Sequence, residues 1–306
     1  MSTVSTKITE KMVIDAAGKD IVLNGLDFTK NGYLEIKNAN SVVVKNCRVY
    51  KMNCEDATKN YWMKVIGDIP VKLAVLNSFF GNNPGTNGHM YNLFEMNAKL
   101  KSNSMISSNW FTTDCCTHNT INIYGAEENA AIYVNNNYFA DSRHSIRVGI
   151  KEAPVCSIVA QGNELQVTDT TPEELEWSNF MLFQPYGKKT TTFGNLKVVT
   201  ANNKMSQSGS DPIVAYFGDA DMPMSYESAP KVTVDGKEFK IPIRVGSTTV
   251  AVVGTTAYET LAAAIEAAGD NEITLVNSTE EEVDTSAAKI VASRPGLTIH
   301  GVELEF

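Results

Sequence analysis

The chain has 306 residues, with 26 Lys and Arg against 35 Asp and Glu, a net charge of −9 at pH 7. That balance excludes nucleic acid as the main partner, because phosphate binding needs a basic surface. At 43% apolar and 20% charged, the chain can bury a core and is not disordered. No apolar run approaches the length that spans a bilayer, so membrane insertion is not expected.

The first residues, Met1-Ser2-Thr3-Val4-Ser5-Thr6-Lys7, hold no apolar signal-peptide core, which points to synthesis in a cytoplasm. A phrase then recurs: an apolar residue, four mostly small or polar residues, and an apolar or aromatic residue. It reads Leu23 to Phe28, Val44 to Val49, Val75 to Phe80, Ile106 to Phe111, Val134 to Phe139, Ala160 to Leu165 and, more weakly, Thr200 to Met205. The closing residues step by 21, 31, 31, 28, 26 and 40. A period of that size with short strands is the signature of a solenoid, in which no repeat can bury its apolar face alone.

The runs around each phrase are short and β-branched, as in Ser41-Val42-Val43-Val44 and Ala131-Ile132-Tyr133-Val134, and read as strands. Asn109, Asn137, Asn163 and Asn203 each fall two places before a closing residue. Asn tolerates left-handed backbone angles and suits a tight corner. Stacked on successive turns, such residues can form an Asn ladder. The closing pairs Phe79/Phe80, Trp110/Phe111 and Tyr138/Phe139 are expected to stack down the core, the alternative being a carbohydrate platform. A β-sandwich with regular strand spacing is the competing fold.

The five cysteines (Cys47, Cys54, Cys115, Cys116, Cys156) have no zinc-type spacing and are an odd number. They read as buried free thiols in a reducing compartment, and no metal or other cofactor is expected. Asp114 and His118 flank Cys115-Cys116 without a third partner at sensible spacing. The best cluster for chemistry runs from Asp141 to Lys151 and includes His144. With Ile146, Val148 and Ile150 inward, Arg147 and Lys151 project outward on one strand face. An enzyme would use Arg147 as base, Lys151 to bind a substrate carboxylate and Asp141 to hold a metal. An ordinary charged rung is the simpler expectation, so no catalytic residue is favoured.

The long step after Leu165 marks an insertion, with a short helix opening at Thr171-Pro172-Glu173-Glu174 and aromatic residues Trp177, Phe180, Phe183 and Tyr186. Character changes near residue 230. Residues 1–228 read as the solenoid and 229–306 as a small acidic α/β module for attachment or capping. The module opens with strands around Asp235-Gly236. Thr256-Ala257-Tyr258-Glu259 reads as a capping box for a helix closed by Gly269, with Leu261, Ala264, Ile265 and Ala268 on one face. A strand follows at 272–276, and residues 297–304 echo 21–28. From Thr255 onward there are ten acidic residues against Lys289 and Arg294, which suits docking on a basic surface.

Over residues 10 to 228 the pattern resembles the right-handed parallel β-helix of the pectin-lyase-like superfamily. The expected fold class is therefore mostly β: a right-handed parallel β-helix followed by the small α/β module. Lyases of that superfamily abstract a proton with Arg or Lys, usually beside calcium, and hydrolases use paired or triple aspartates. This chain has no adjacent aspartates, no Asn-Thr-Asp and no Gly-His-Gly; Asn87-Gly88-His89 is a partial echo of the last. By analogy with fibres of this architecture, the resemblance implies a structural bacteriophage virion protein: a capsid decoration protein, head fibre or tail-associated fibre. Expected partners are copies of itself in a homotrimer, a major capsid or other virion protein, and a host surface glycan. The alternatives are a polysaccharide lyase or hydrolase acting on a surface glycan and, less favoured, a bacterial surface adhesin.

Overall fold

A computed structural model describes residues 6–30, 32–52, 61–81, 92–112, 119–140, 144–149, 156–166, 179–184, 193–205, 214–218, 226, 229–245, 248–254 and 256–306. The chain winds as a parallel β-helix. Each turn lays one strand in each of three sheets, and eight turns stack rung on rung. Sheet A has eight strands, from Thr6–Ile8 to Lys204–Met205. Sheet B has nine, from Met12–Asp15 to Ile243–Val245. Sheet C has nine, from Asp20–Asn24 through Lys231–Val234 to the returning strand Lys237–Phe239. Every pairing within the three sheets is parallel except that last hairpin.

The recurring phrase is the C-to-A corner seen in sequence. Its opening residues Leu23, Val44, Val75, Ile106, Val134, Ala160 and Thr200 are register partners down the inner face of sheet C. Its closing residues Phe28, Val49, Phe80, Phe111, Phe139, Leu165 and Met205 do the same in sheet A. Sheet B supplies the third wall with Leu34, Met63, Phe94, Ile121, Ile146, Met181 and Val214. Phe80, Phe111 and Phe139 stack nearly face to face, with centroids 4.9 Å apart at 13° and 9°. Trp62 fills the space beside them, edge-on to Phe28, Phe80 and Phe94.

Two adjacent corner positions divide the work expected of one. The left-handed backbone sits at Gly25, Asn46, Asn77, Ser108, Asn136, Gly162 and Asn202, one residue before the ladder position. At Gly162, with φ of 65°, a Cβ would meet the Asn136 Oδ1 at 2.5 Å, so a larger residue there would have to displace that side chain. The ladder residues Asn109, Asn137, Asn163 and Asn203 are buried and keep ordinary backbone angles. Each Asn Nδ2 donates to the next Oδ1, at 3.0, 3.0 and 2.8 Å. It also donates to a carbonyl one turn back, from Asn109 to Val75 and from Asn137 to Ile106. Each Oδ1 further accepts the backbone N–H of the preceding corner. Toward the N-terminus Ser78 and Cys47 continue the column with single-atom side chains.

The sheets continue past residue 228, since 231–234 pairs with 197–200 and 243–245 with 216–218. The Asp-Gly hairpin is therefore hydrogen-bonded into the coil. Beyond it, strands Ala251–Val253, Thr256–Tyr258, Ile273–Leu275 and Ile290–Ala292 form a small mixed sheet. Helix α1, Leu261–Ala268, buries Leu261, Ala264 and Ala268 against it.

The helix start differs from the expected capping box. Thr256–Tyr258 is a strand, and Thr260 is the N-cap, its Oγ accepting from the Ala263 amide at 3.2 Å. The acidic half of the box is supplied from afar by Glu281, which accepts the Leu261 and Ala262 amides at 2.8 and 3.1 Å. The module closes the end of the coil. Ile243 and Ser293 exchange hydrogen bonds at 2.7 and 2.9 Å, the Tyr226 hydroxyl donates to the Ala292 carbonyl, and Val252 and Val276 join the coil's core.

Candidate functional site: an outward aromatic column on sheet A

Strand alternation splits the paired aromatics that were expected to stack together in the core. Phe80, Phe111 and Phe139 point inward, so Phe79, Trp110 and Tyr138 point outward. The outward file reads Asp27, Arg48, Phe79, Trp110, Tyr138, Glu164 and Lys204 in register. Three aromatic rungs are thus bounded by charged residues on both sides. Trp110 and Tyr138 lie with ring centroids 4.3 Å apart and tilted by 33°. The Tyr138 hydroxyl is hydrogen-bonded to Gln166, and Lys204 pairs with Glu164 at 3.2 Å.

A groove of about 650 Å³ runs beside this file. The rings form one wall, and the buried ladder residues Ser78, Asn109 and Asn137 lie along its floor. The left-handed corner residues Asn77, Ser108, Asn136 and Gly162 form its other lip. A bent corner repeated on each turn therefore sets a polar row parallel to an aromatic one. Such a surface offers flat π-faces and hydrogen-bonding groups side by side.

The cluster read for chemistry lies elsewhere, on the outer face of sheet B. Ile146 and Val148 point inward as expected and Arg147 outward, half-buried. Arg147 has Asn122 and Leu182 as register partners, and the outward file continues from Asn122 to Glu95, Lys64 and Glu35. His144 is buried, in register with Asn119 and Asn179. Asp141, Lys151 and Ile150 lie outside the described residues, as do Asp114, His118, Cys54, Cys115, Cys116, Asn87 to His89 and the Thr171 helix. The structure thus brings no carboxylate onto a rung adjacent to Arg147 among the described residues. Nor do three His, Cys, Asp or Glu side chains converge as metal ligands among them.

What the sheet B face does hold is a polar network. Glu35 accepts from Lys11 at 2.9 Å, from Lys37 at 3.1 Å and from the Tyr61 hydroxyl at 3.3 Å. The two ammonium groups hold its carboxyl down at about 2. Glu95 accepts from Lys64, Asn92 and Asn97, and Asn119 donates to Asn92 at 2.8 Å in a second, shorter ladder. The two cysteines that are described, Cys47 and Cys156, are free and buried. Burial pushes the Cys156 thiol up to about 11 and raises Cys47 as well. Phe180 and Phe183, from the insertion, pack into the coil's core.

A comparison with protein-family models, with curated proteins and with solved structures finds no match to this chain.

Proposed function

We propose that this protein is a structural component of a bacteriophage virion, a decoration protein or fibre, in which the β-helix is a rigid body that self-associates side by side as a homotrimer. The observation that carries the self-association is an apolar file along the outer face of sheet C. Val22, Val43, Ala74, Met105, Tyr133, Val159 and Val199 are register partners on successive rungs. Val22, Met105 and Val199 are exposed. The flanking files are mostly polar, with Asp20, Ser41, Lys72, Ser157 and Lys197 beside Ala131 on one side, and Asn24, Lys45, Ser107, Asn135 and Gln161 beside Leu76 and Ala201 on the other. An exposed apolar patch with a polar rim is the form of an association surface.

At a rung spacing of about 4.8 Å the file is about 30 Å long, and a second copy of the same coil repeats at the same spacing. A copy therefore matches the file rung for rung, which an unrelated surface would do only by coincidence. The placement on a virion follows from analogy with fibres of this architecture. Side-by-side packing and a coil covered at its C-terminal end both suit that role, with the acidic module as attachment domain for a capsid or other virion protein. The enzyme alternative, a polysaccharide lyase or hydrolase, rests on Arg147, whose register partners Asn122 and Leu182 are neither acid nor base.

Light scattering on the purified protein tests the reading, with Met105→Glu and Val199→Glu beside the parent. The expected result is a trimer that both substitutions shift to monomer without loss of the β-rich fold. A monomeric parent, or a protein absent from purified particles of its phage, overturns it.

A further inference from the structure

We infer that the groove beside Phe79, Trp110 and Tyr138 is a binding site for a neutral oligosaccharide lying along the coil axis. The argument begins with where these rings are. Phe79 is 41% and Trp110 51% exposed, on a strand whose next residues, Phe80 and Phe111, are fully inside. The core therefore has no use for them. They occupy three consecutive rungs, and charged residues take the same file immediately above and below.

The opposite lip supplies the complementary chemistry. Asn77, Ser108 and Asn136 are exposed, and the side-chain amides of Asn77 and Asn136 make no hydrogen bond among the described residues. The ladder below them is already saturated, since each of its Asn side chains donates and accepts within the coil. The lip amides are thus the groups left to bond a ligand. A sugar ring matches this pairing. Its C–H face is apolar and lies on an aromatic ring, while its hydroxyls, at the ring edge, reach amides and carboxylates. The groove sets a polar lip residue against each ring, Asn77 with Phe79, Ser108 with Trp110 and Asn136 with Tyr138, so successive sugar units of a linear chain meet a ring on one side and a hydrogen-bonding group on the other.

Other ligand classes fit less well. Nucleic acid also stacks on aromatic rings, but it needs a basic track, and the chain carries −9. An extended peptide binds by adding a strand to a sheet edge, and the strands at this groove are paired on both sides. The volume of about 650 Å³ falls within the usual range for ligand sites. Glu164 at one end, held by Lys204, disfavours an acidic glycan there.

Calorimetric titration with cellohexaose, maltohexaose, chitohexaose and mannohexaose tests the inference on the full chain, with Trp110→Ala and Asn136→Ala beside the parent. At least one saccharide is expected to bind at millimolar concentration or tighter. Trp110→Ala should weaken that binding by about tenfold or more, as a central aromatic contact does. Asn136→Ala should weaken it less, and both variants should melt like the parent because neither residue is in the core. If the parent binds none of the four, or if Trp110→Ala binds as the parent does, the inference is wrong. Dissociation of the assembly by Trp110→Ala, with saccharide binding unchanged, would instead make this face an interface between copies. That outcome is independent of the sheet C substitutions, which lie on a different wall of the coil.

Discussion

At the scale of single residues, neighbours one position apart on a strand have unrelated jobs. Trp110 and Phe111 show it most clearly: the second stacks between Phe80 and Phe139, and the first faces solvent. Phe111→Ala should cost about 3–5 kcal/mol by leaving a cavity, whereas Trp110→Ala should cost under about 1 kcal/mol. Urea unfolding of the two variants measures this directly, and equal losses would contradict the inward-outward assignment. The sequence does not separate the two from one pair alone, because both members are aromatic; only the neighbouring repeats do, with Arg48 before Val49 and Glu164 before Leu165 on the same columns. It did mark the columns themselves: all the opening and closing residues of the recurring phrase fell into register. The thiols follow the same logic of burial. Cys47 and Cys156 are raised, so at pH 8 their thiolate fraction falls below that of an open cysteine. Alkylation of the native protein followed by peptide mapping should leave both unmodified until denaturant is added.

At the scale of elements, the Asn ladder is a device in which each side chain closes several hydrogen bonds at once. Asn137 accepts from the Asn109 backbone and side chain and donates to Ile106 and Asn163. Asn137→Ala leaves buried partners unsatisfied and should destabilise by about 2–4 kcal/mol. Asn137→Asp keeps the shape but places a charge there and removes both donors, so it should cost more, and most at neutral pH. A thermal melt in which Asp is tolerated better than Ala would refute the ladder. Glu35 gives a second test with a defined sign. Its carboxyl is held at about 2, below the unfolded value, by hydrogen bonds from Lys11 and Lys37. The stabilisation is present above the unfolded pKa and is lost as pH falls from about 4.5 toward 2. Because the lysines are half-exposed, it is worth only about 1 kcal/mol. Glu35→Gln should remove that part of the acid dependence while leaving the neutral-pH fold intact.

The legibility of elements depended on how local their causes are. The C-to-A corner was readable because its residues lie within six positions and recur. Sheet B carries no common phrase, so only its strand around Ile146 and Val148 is legible in the sequence, and the wall it belongs to is not. Trp62 and Phe180 turn into the core from positions that simple alternation would send outward. The helix cap was misplaced by one turn because two threonines, Thr256 and Thr260, both precede the helix. The carboxylate that decides between them, Glu281, is remote in sequence. Burial works against its charge, but the Leu261 and Ala262 amides and the Thr279 hydroxyl hold it below the usual carboxylate range.

Across the whole molecule, stability in a solenoid is a sum over rungs and the contacts between neighbours, so it need not be uniform. Here the two ends differ. The last rungs are joined by Asn–Asn bonds and covered by the module through Ser293, Tyr226, Val252 and Val276. At the other end, the strands Thr6–Ile8, Met12–Asp15 and Asp20–Asn24 are each paired on one side only among the described residues. Ile8, Met12 and Ile21 are only partly buried there, and the ladder thins to Ser78 and Cys47. Opening should therefore start at the N-terminal rung and proceed inward, with the middle rungs the last to open. Native-state hydrogen exchange read by mass spectrometry should show amides of 6–24 exchanging first, then 26–52, and those of 104–140 last. Ser78→Asn should slow exchange in 41–49, because its side chain can keep the Cys47 amide that the Ser78 hydroxyl already accepts and add a bond to the Val44 carbonyl, as Asn109 does to Val75. Uniform exchange across 6–140, unaffected by Ser78→Asn, would mean that the coil opens as one unit and that the ladder does not set the order.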